Sequence, residues 1–262
     1  MTSESVAAII LAAGKGTRMK SARHKVLHPI GGRPMLAHLL ATLDGLDIAR
    51  RVLVVGAARE QLAGRFDSVR LAVQEPQLGT GHAVMAARDA LGPFDGIVLI
   101  LYGDVPLIEA ETLRAMIATL REGPADRVIA VLGFSPADPA HYGRLVVGPK
   151  GKLEAIVEYK DATTSERAIG LCNSGIMAVR GALLFDLLAA VTDANAAGEY
   201  YLTDIVAAAD RRGLSAIVVE CDAAQVQGVN SRAELAQAEA YFQDRRRAQA
   251  MAEGASLIDP AS

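Results

Sequence analysis

The chain has 262 residues, 51% of them hydrophobic and only 4% aromatic, with a net charge of −3. That is enough aliphatic material for one large α/β domain or two small ones, and the near-neutral balance gives no basic surface for nucleic acid or an anionic membrane. No basic-then-apolar leader opens the chain and no apolar run approaches the roughly 20 residues of a membrane span, so a cytoplasmic protein is expected.

The first element is a strand, Val6–Leu11, which runs into Ala12-Ala-Gly-Lys-Gly-Thr-Arg-Met19. A strand that empties into a glycine loop bearing Lys15 and Arg18 presents backbone N–H groups to phosphates. The spacing fits neither a Walker loop nor a dinucleotide fingerprint, because Met19 stands where the third glycine of Gly-x-Gly-x-x-Gly would fall. Two readings remain open: a triphosphate site of a third kind, or an ordinary glycine-rich turn. Lys25 follows in Arg23-His-Lys-Val-Leu-His-Pro29 and would add a second cation beside Arg18, unless both are ordinary surface charges.

Further strands are expected at Arg51–Val55, Val69–Gln74, Ile97–Tyr102, Arg127–Phe134, Gly175–Arg180 and Ala216–Glu220. Helical patterns fall between them at Pro34–Leu43, Arg59–Phe66, Gly81–Leu91, Ala110–Arg121, Gly181–Ala190 and Thr203–Arg212. Strands alternating with helices of this length imply βαβ units and a doubly wound, mostly parallel, Rossmann-like α/β sheet. Ligands of such sheets bind beyond the carboxyl ends of the strands, which gathers the loops after Leu11, Gln74 and Tyr102 on one edge. Residues 141–173 interrupt the alternation with a small β excursion. There Arg144–Gly148 and Lys152–Val157 flank a hairpin turn at Pro149-Lys-Gly151 and would form a lid or a second subsite.

At the C-terminal side, Ser231-Arg-Ala-Glu234 has the pattern of a capping box. The helix it opens carries Leu235, Ala238, Phe242 and the Ala248/Met251 pair on one face to about Ala252, a long arm of roughly 30 Å. Arg245-Arg-Arg247 on it reads as a solvated face. Residues 1–230 are thus expected to form one α/β domain and 231–262 the arm. Cys172 and Cys221 have no metal-type spacing and are expected reduced and buried.

Three more segments carry chemistry. In Gln74-Glu-Pro-Gln-Leu-Gly79-Thr80-Gly-His82, Gly79 admits a flat ring, Thr80 caps the following helix, and a glutamine amide reads a base edge; the alternative is a plain strand–helix turn. His82 reads as a structural hydrogen-bonding residue. Asp104, at the end of Ile97–Tyr102, suits magnesium, which needs only one or two protein oxygens, though aspartate there is equally a turn cap. Asn230 offers a second oxygen, or a helix cap. Glu158 and Asn173 have the chemistry to hold sugar hydroxyls, though each is equally an ordinary surface polar residue. There is no Gly-x-Ser-x-Gly, His-Glu-x-x-His or Cys/His cluster to support esterase or zinc chemistry.

Six ordered motifs then carry a resemblance: Leu11-Ala-Ala-Gly-Lys-Gly-Thr-Arg-Met19 with Lys25, Gln77–His82, Leu101–Leu107, Ile156–Asp161, Glu199–Asp204 and Gly228-Val-Asn230. Over essentially its whole length the chain resembles the sugar nucleotidyltransferases, and among them the bacterial N-acetylglucosamine-1-phosphate uridylyltransferases. The resemblance implies formation of UDP-N-acetylglucosamine, a cell-wall precursor, from UTP and N-acetylglucosamine 1-phosphate, with Mg²⁺ as cofactor. It implies nucleotide contacts at Leu11, Ala12, Ala13 and Gly14, triphosphate contacts at Arg18 and Lys25, and uracil contacts at Gln74, Gly79 and Thr80. Tyr102, Gly103, Gly143, Glu158, Asn173 and Thr203 would surround the amino sugar and its phosphate, and Asp104 and Asn230 would bind the metal. His24 stands where many relatives have proline, which bears on how firmly Lys25 is held. The family's second half, a left-handed β-helix with acetyltransferase activity and the trimer interface, has no counterpart in 1–262. No acetyl transfer is therefore expected, and the oligomeric state is left open. The rival readings are the same chemistry on another sugar phosphate, and a non-catalytic nucleotide-sugar-binding protein.

Overall fold

Strand β1 (Val6–Ala12) is buried along its whole length. Ala7, Ile9 and Leu11 enter one apolar core, while Val6, Ala8, Ile10 and Ala12 enter another on the opposite face. Burial on both faces at a period of two requires a central strand of a covered sheet. A computed structural model of the chain, which describes residues 4–56, 58–148 and 151–260, has this arrangement.

The chain runs through β1, β2 (Pro29–Ile30), β3 (Arg33–Pro34), α1 (Met35–Asp44), β4 (Ile48–Val55), β5 (Arg70–Val73), α2 (Thr80–Ala86), α3 (Arg88–Leu91) and β6 (Ile97–Tyr102). It continues through α4 (Ala110–Arg121), β7 (Arg127–Phe134), β8 (Arg144–Val147), β9 (Leu153–Val157), α5 (Thr164–Arg167) and β10 (Cys172–Arg180). It closes with α6 (Gly181–Leu188), α7 (Ile205–Asp210), β11 (Ser215–Glu220) and α8 (Arg232–Ala252). The main sheet has the order β11-β7-β10-β6-β1-β4-β5. It is the expected doubly wound, mostly parallel sheet: β1 pairs in parallel with β4 and β6, β4 with β5, and β7 with β11. Strand β10 alone on that path runs antiparallel, against both β6 and β7. The β8–β9 hairpin joins β10 through Cys172 and Arg144; its turn residues Pro149 and Lys150 lie outside the described residues.

Several local expectations change. The helix expected over Arg59–Phe66 is only a 3₁₀ turn at Arg59–Gln61, because Gly64 takes a φ of 70° that no continuing helix allows. The helix expected over Gly81–Leu91 divides at Ala87, and Thr203–Arg212 opens with a 3₁₀ turn at Leu202–Asp204. Helix α5, with a complete Thr163/Glu166 capping box, was not anticipated. Leu235, Ala238, Tyr241 and Phe242 dock α8 onto Ile30, Met35, Leu107 and Val229, but Met251 is exposed because the last turns of the helix leave the body. Arg245 is no bare surface charge: it reaches Glu109 at 2.9 Å. Cys172 is buried as expected, whereas Cys221 is only half-buried. Among the described residues no helix is long and apolar enough to cross a membrane.

Candidate active site

Strands β1 and β6 end side by side. Leu11 pairs with Tyr102, and the Gly103 N–H donates to the Leu11 carbonyl at 2.9 Å. The glycine loop and Asp104 are thereby neighbours at the point where strand order reverses about β1, the place such sheets use for ligands. A cleft of about 390 Å³ there brings together Leu11–Gly14, Lys25, Gln74, Gly79, Thr80, Tyr102 and Asp104.

On the loop, Gly16 has a φ of 61°, and a Cβ in its place would lie 2.8 Å from the Cβ of Lys25. The glycine lets the lysine stem pass behind the loop. Lys25 opens a 3₁₀ turn after buried His24, whose N–H donates to Gln61 Oε1 at 2.8 Å. The Lys25 ammonium forms an ion pair with Asp104 and donates to Asn230 Oδ1 at 2.9 Å. Asn230 is brought there by its neighbour, since the Val229 N–H donates to the Asp104 carbonyl at 2.8 Å. Lys25, expected against a triphosphate, here stands on the oxygens of Asp104 and Asn230 beside the glycine loop. A carboxylate and an amide oxygen that converge on one cation are a hard donor pair suited to magnesium, with its remaining positions left to water and phosphate. Among the described residues no cluster of three or more His, Cys, Asp or Glu forms an all-protein metal cage. Arg18 is exposed and lines an adjoining cavity with Asp104, Asn230 and Glu234.

The segment expected to face a base is built from buried Gln74, whose amide nitrogen donates to the Gly79 carbonyl at 2.9 Å and lies 3.3 Å from His82 Nδ1. His82 is thus a structural partner here. Gly79 takes a φ of 111°, and a Cβ on it would come within 2.6 Å of the Tyr200 carbonyl oxygen. Thr80 does not cap α2. Gly79 occupies the cap position and the Thr80 hydroxyl accepts from the Leu202 N–H at 3.0 Å, lashing this segment to residues 200–202. Gln77, which sequence reasoning did not assign to the site, donates to the Ala13 carbonyl and so joins the base segment to the glycine loop. Its position in the same loop as Gln74 was the available signal.

The third group sits on the β excursion and β10. The Asn173 N–H donates to the Gly143 carbonyl at 2.8 Å, and the Thr203 hydroxyl donates to Glu158 Oε1 at 3.3 Å. Asn173 and Thr203 are buried. Burial pushes the Glu158 carboxyl above the usual range; the Thr203 hydrogen bond opposes this and the charges of Asp161 and Asp204 add to it. Burial likewise raises the Tyr102 phenol, helped by the charges of Glu158 and Asp104. Tyr102 lines both the cleft and the adjoining cavity that Asn230 and Glu234 share.

A family model described as a MobA-like NTP transferase domain matches residues 8–170. The chain belongs to the MobA-like NTP transferase family. The match takes in the glycine loop, Lys25, Asp104 and Glu158, while Asn173, Thr203 and Asn230 lie past its end. Among curated relatives, the bifunctional protein GlmU of Rhizorhabdus wittichii is 58% identical over 262 residues, covering 99% of this chain and 58% of that protein. Bifunctional protein GlmU of Sphingopyxis alaskensis is 59% identical over 256 residues, covering 97% of this chain and 56% of that protein. The chain thus spans a little over half the length of the relatives it matches. A UDP-glucose pyrophosphorylase complexed with UDP-glucose shares the fold with a TM-score of 0.75 at 16% identity, over 93% of this chain and all of that one. A CMP:2-keto-3-deoxy-manno-octonic acid synthetase complexed with CTP does so with a TM-score of 0.67 at 19% identity, over 92% of this chain and 99% of that one.

Proposed function

We propose that this NTP transferase moves the uridylyl group of UTP onto N-acetylglucosamine 1-phosphate, releasing pyrophosphate and forming UDP-N-acetylglucosamine. The observation that carries the reading is the convergence of Asp104 and Asn230 on one cation point beside the glycine loop. In this reading Leu11–Gly14, Gln74, Gly79 and Thr80 hold the nucleotide. Tyr102, Gly103, Gly143, Glu158, Asn173 and Thr203 hold the amino sugar and its phosphate. Mg²⁺ held by Asp104 and Asn230 supplies neutralising charge to the phosphate oxygens.

A sugar phosphate whose second pKa is near 6 is a dianion at neutral pH, so no general base is required. One of its oxygens forms the new bond to the α-phosphorus as the bond to the bridging oxygen of pyrophosphate breaks. Arg18 and Lys25 take up the charge that gathers on the leaving group, and the cleft holds nucleophile and phosphorus in line. The sugar preference rests on Glu158 and Asn173, and the choice of UTP on the Gln74–Thr80 segment. The GlmU relatives and the nucleotide sugar in a structure of the same fold support a nucleotide-sugar product.

Pyrophosphate release measured with a panel of nucleoside triphosphates and sugar 1-phosphates tests the proposal. UTP with N-acetylglucosamine 1-phosphate is expected to exceed every other pair by roughly tenfold or more, the discrimination a few pocket contacts supply. A faster second pair would move the specificity elsewhere. Binding of UDP-N-acetylglucosamine without pyrophosphate release from any pair would make the chain a nucleotide-sugar-binding protein.

A further inference from the structure

The first turn of α8 departs from an ordinary capping box. Ser231 Oγ accepts from the Glu234 N–H at 3.2 Å, which is half of the box. In the complete form the glutamate returns to the N–H of the cap residue, as Glu166 does to Thr163 at 2.7 Å in this same molecule. Glu234 instead passes over Ser231 and accepts from the N–H of Asn230 at 2.6 Å. The carboxylate that would finish a helix cap is spent on the residue whose amide oxygen faces the cation point.

We infer that Glu234 is a positioning residue for Asn230 as a metal ligand. The backbone leading into Asn230 is held at two successive N–H groups, that of Asn230 by Glu234 and that of Val229 by the Asp104 carbonyl at 2.8 Å. With the backbone pinned there, Oδ1 of Asn230 stands 2.9 Å from the Lys25 ammonium, on the point it shares with Asp104. Half-buried Glu234 lines the same cavity as Arg18, Asp104 and Asn230, so its negative charge also adds to the field that favours a cation. Groups that orient metal ligands in this way tune affinity without touching the ion. The inference rests on the assignment of the metal to Asp104 and Asn230.

Binding of Mn²⁺ in the presence of UTP, followed by electron paramagnetic resonance, separates the two claims. Glu234→Ala is expected to weaken Mn²⁺ binding by about tenfold or more, the usual effect of losing such a partner. Glu234→Gln, which keeps an acceptor, is expected to restore most of it. Ser231→Ala removes the cap alone, and is expected to lower the melting temperature while leaving Mn²⁺ affinity unchanged. Asp104→Ala is expected to abolish binding. Wild-type affinity in Glu234→Ala alongside loss in Asp104→Ala would overturn the positioning role and leave the metal assignment standing. Equal weakening by Ser231→Ala and Glu234→Ala would reduce the effect to helix fraying and overturn it as well. Wild-type affinity in Asp104→Ala would overturn the metal assignment, and the positioning role with it.

Discussion

One ammonium group shows what a sequence conceals at the residue scale. Lys25, Asp104 and Asn230 each stand at a strand end or helix start where ligand-binding residues gather, so each was legible as a candidate. Their meeting was not, because Lys25 is separated from Asp104 by 79 positions and from Asn230 by 205, and only the sheet register closes those gaps. The pairing has a consequence. A lysine on the oxygens that would take a metal opposes that metal by charge, on the order of 4 kcal/mol for unit charges about 4 Å apart near a protein surface. Lys25→Met is therefore expected to raise the affinity of the nucleotide-free protein for Mn²⁺ by at least about tenfold, well within that figure, and to weaken UTP binding. Titration calorimetry with each ligand checks both directions, and unchanged Mn²⁺ affinity would deny the competition. Asp104→Ala is expected to lower kcat/KM for pyrophosphate release by roughly 10²–10³, the scale of one lost transition-state stabiliser, with an unchanged circular-dichroism spectrum. His24 yields a pH prediction. Burial holds its pKa below 6.5, with the charge of Lys25 adding to the effect and that of Glu60 opposing it, and among the described residues neither ring nitrogen has a partner. Burial lowers His28 as well, ahead of the charges of Arg232 and Arg23. The unfolded chain then takes up protons below about pH 6.5 at these two histidines that the folded chain refuses, so their contribution to stability falls from there down to the depressed folded values and is level above. Melting temperatures across pH 5–8 should show this slope, and His24→Leu should reduce it to the share of His28.

At the scale of elements, strands were read more reliably than short helices. Ile97–Tyr102 and Arg127–Phe134 carry unbroken apolar runs that only a doubly covered strand explains, and both stand as expected. The segment after Gln61 looked helical because its apolar spacing is right, yet Gly64 at positive φ ends the turn. Thr80 misled for a different reason. A threonine before a helix is normally its cap, and nothing local reveals that the hydroxyl is claimed by Leu202, 122 positions away. That bond and the contact of Gly79 with Tyr200 fasten residues 78–81, whose Gly79 and Thr80 form part of the cleft wall, to residues 200–202. Gly79→Ala is expected to destabilise the fold by about 1–3 kcal/mol, since an alanine there is strained in φ and meets the Tyr200 carbonyl. In the proposed reading Gly79 and Thr80 hold the nucleotide, so KM for UTP should rise while kcat at saturation changes less. A thermal melt and a UTP titration measure the two effects, and a melt shift with KM unmoved would place the wall outside the nucleotide site.

Over the whole molecule, the alternation of strands and helices disclosed the doubly wound sheet, but not the reversed direction of β10. An apolar strand reads alike in either sense, and its direction is set by how the chain returns from the β8–β9 hairpin. The arm was foreseen as a long helix; that its first half braces the end of the glycine loop and the β2–β3 turn was not. Arg232 donates to the Met19 carbonyl at the end of the glycine loop, and Glu239 accepts from the Gly31 N–H at 2.7 Å in the β2–β3 turn. Phe242 lies against Gly31 and meets the His38 ring edge-on at 5.1 Å. The small core beneath α8 is separate from the two that cover the sheet, so loosening it should not unfold the sheet. Phe242→Ala tests that division. A half-buried phenylalanine contributes on the order of 1–2 kcal/mol through its covered area, so the variant should melt only a few degrees lower. Hydrogen exchange should quicken across α8 from about Glu239 onward and in the β2–β3 turn, while β1, β4 and β6 keep their protection. Faster exchange in β1 and β6 to the same degree would mean that α8 and the sheet unfold as one cooperative unit, and that the brace belongs to the stability of the whole.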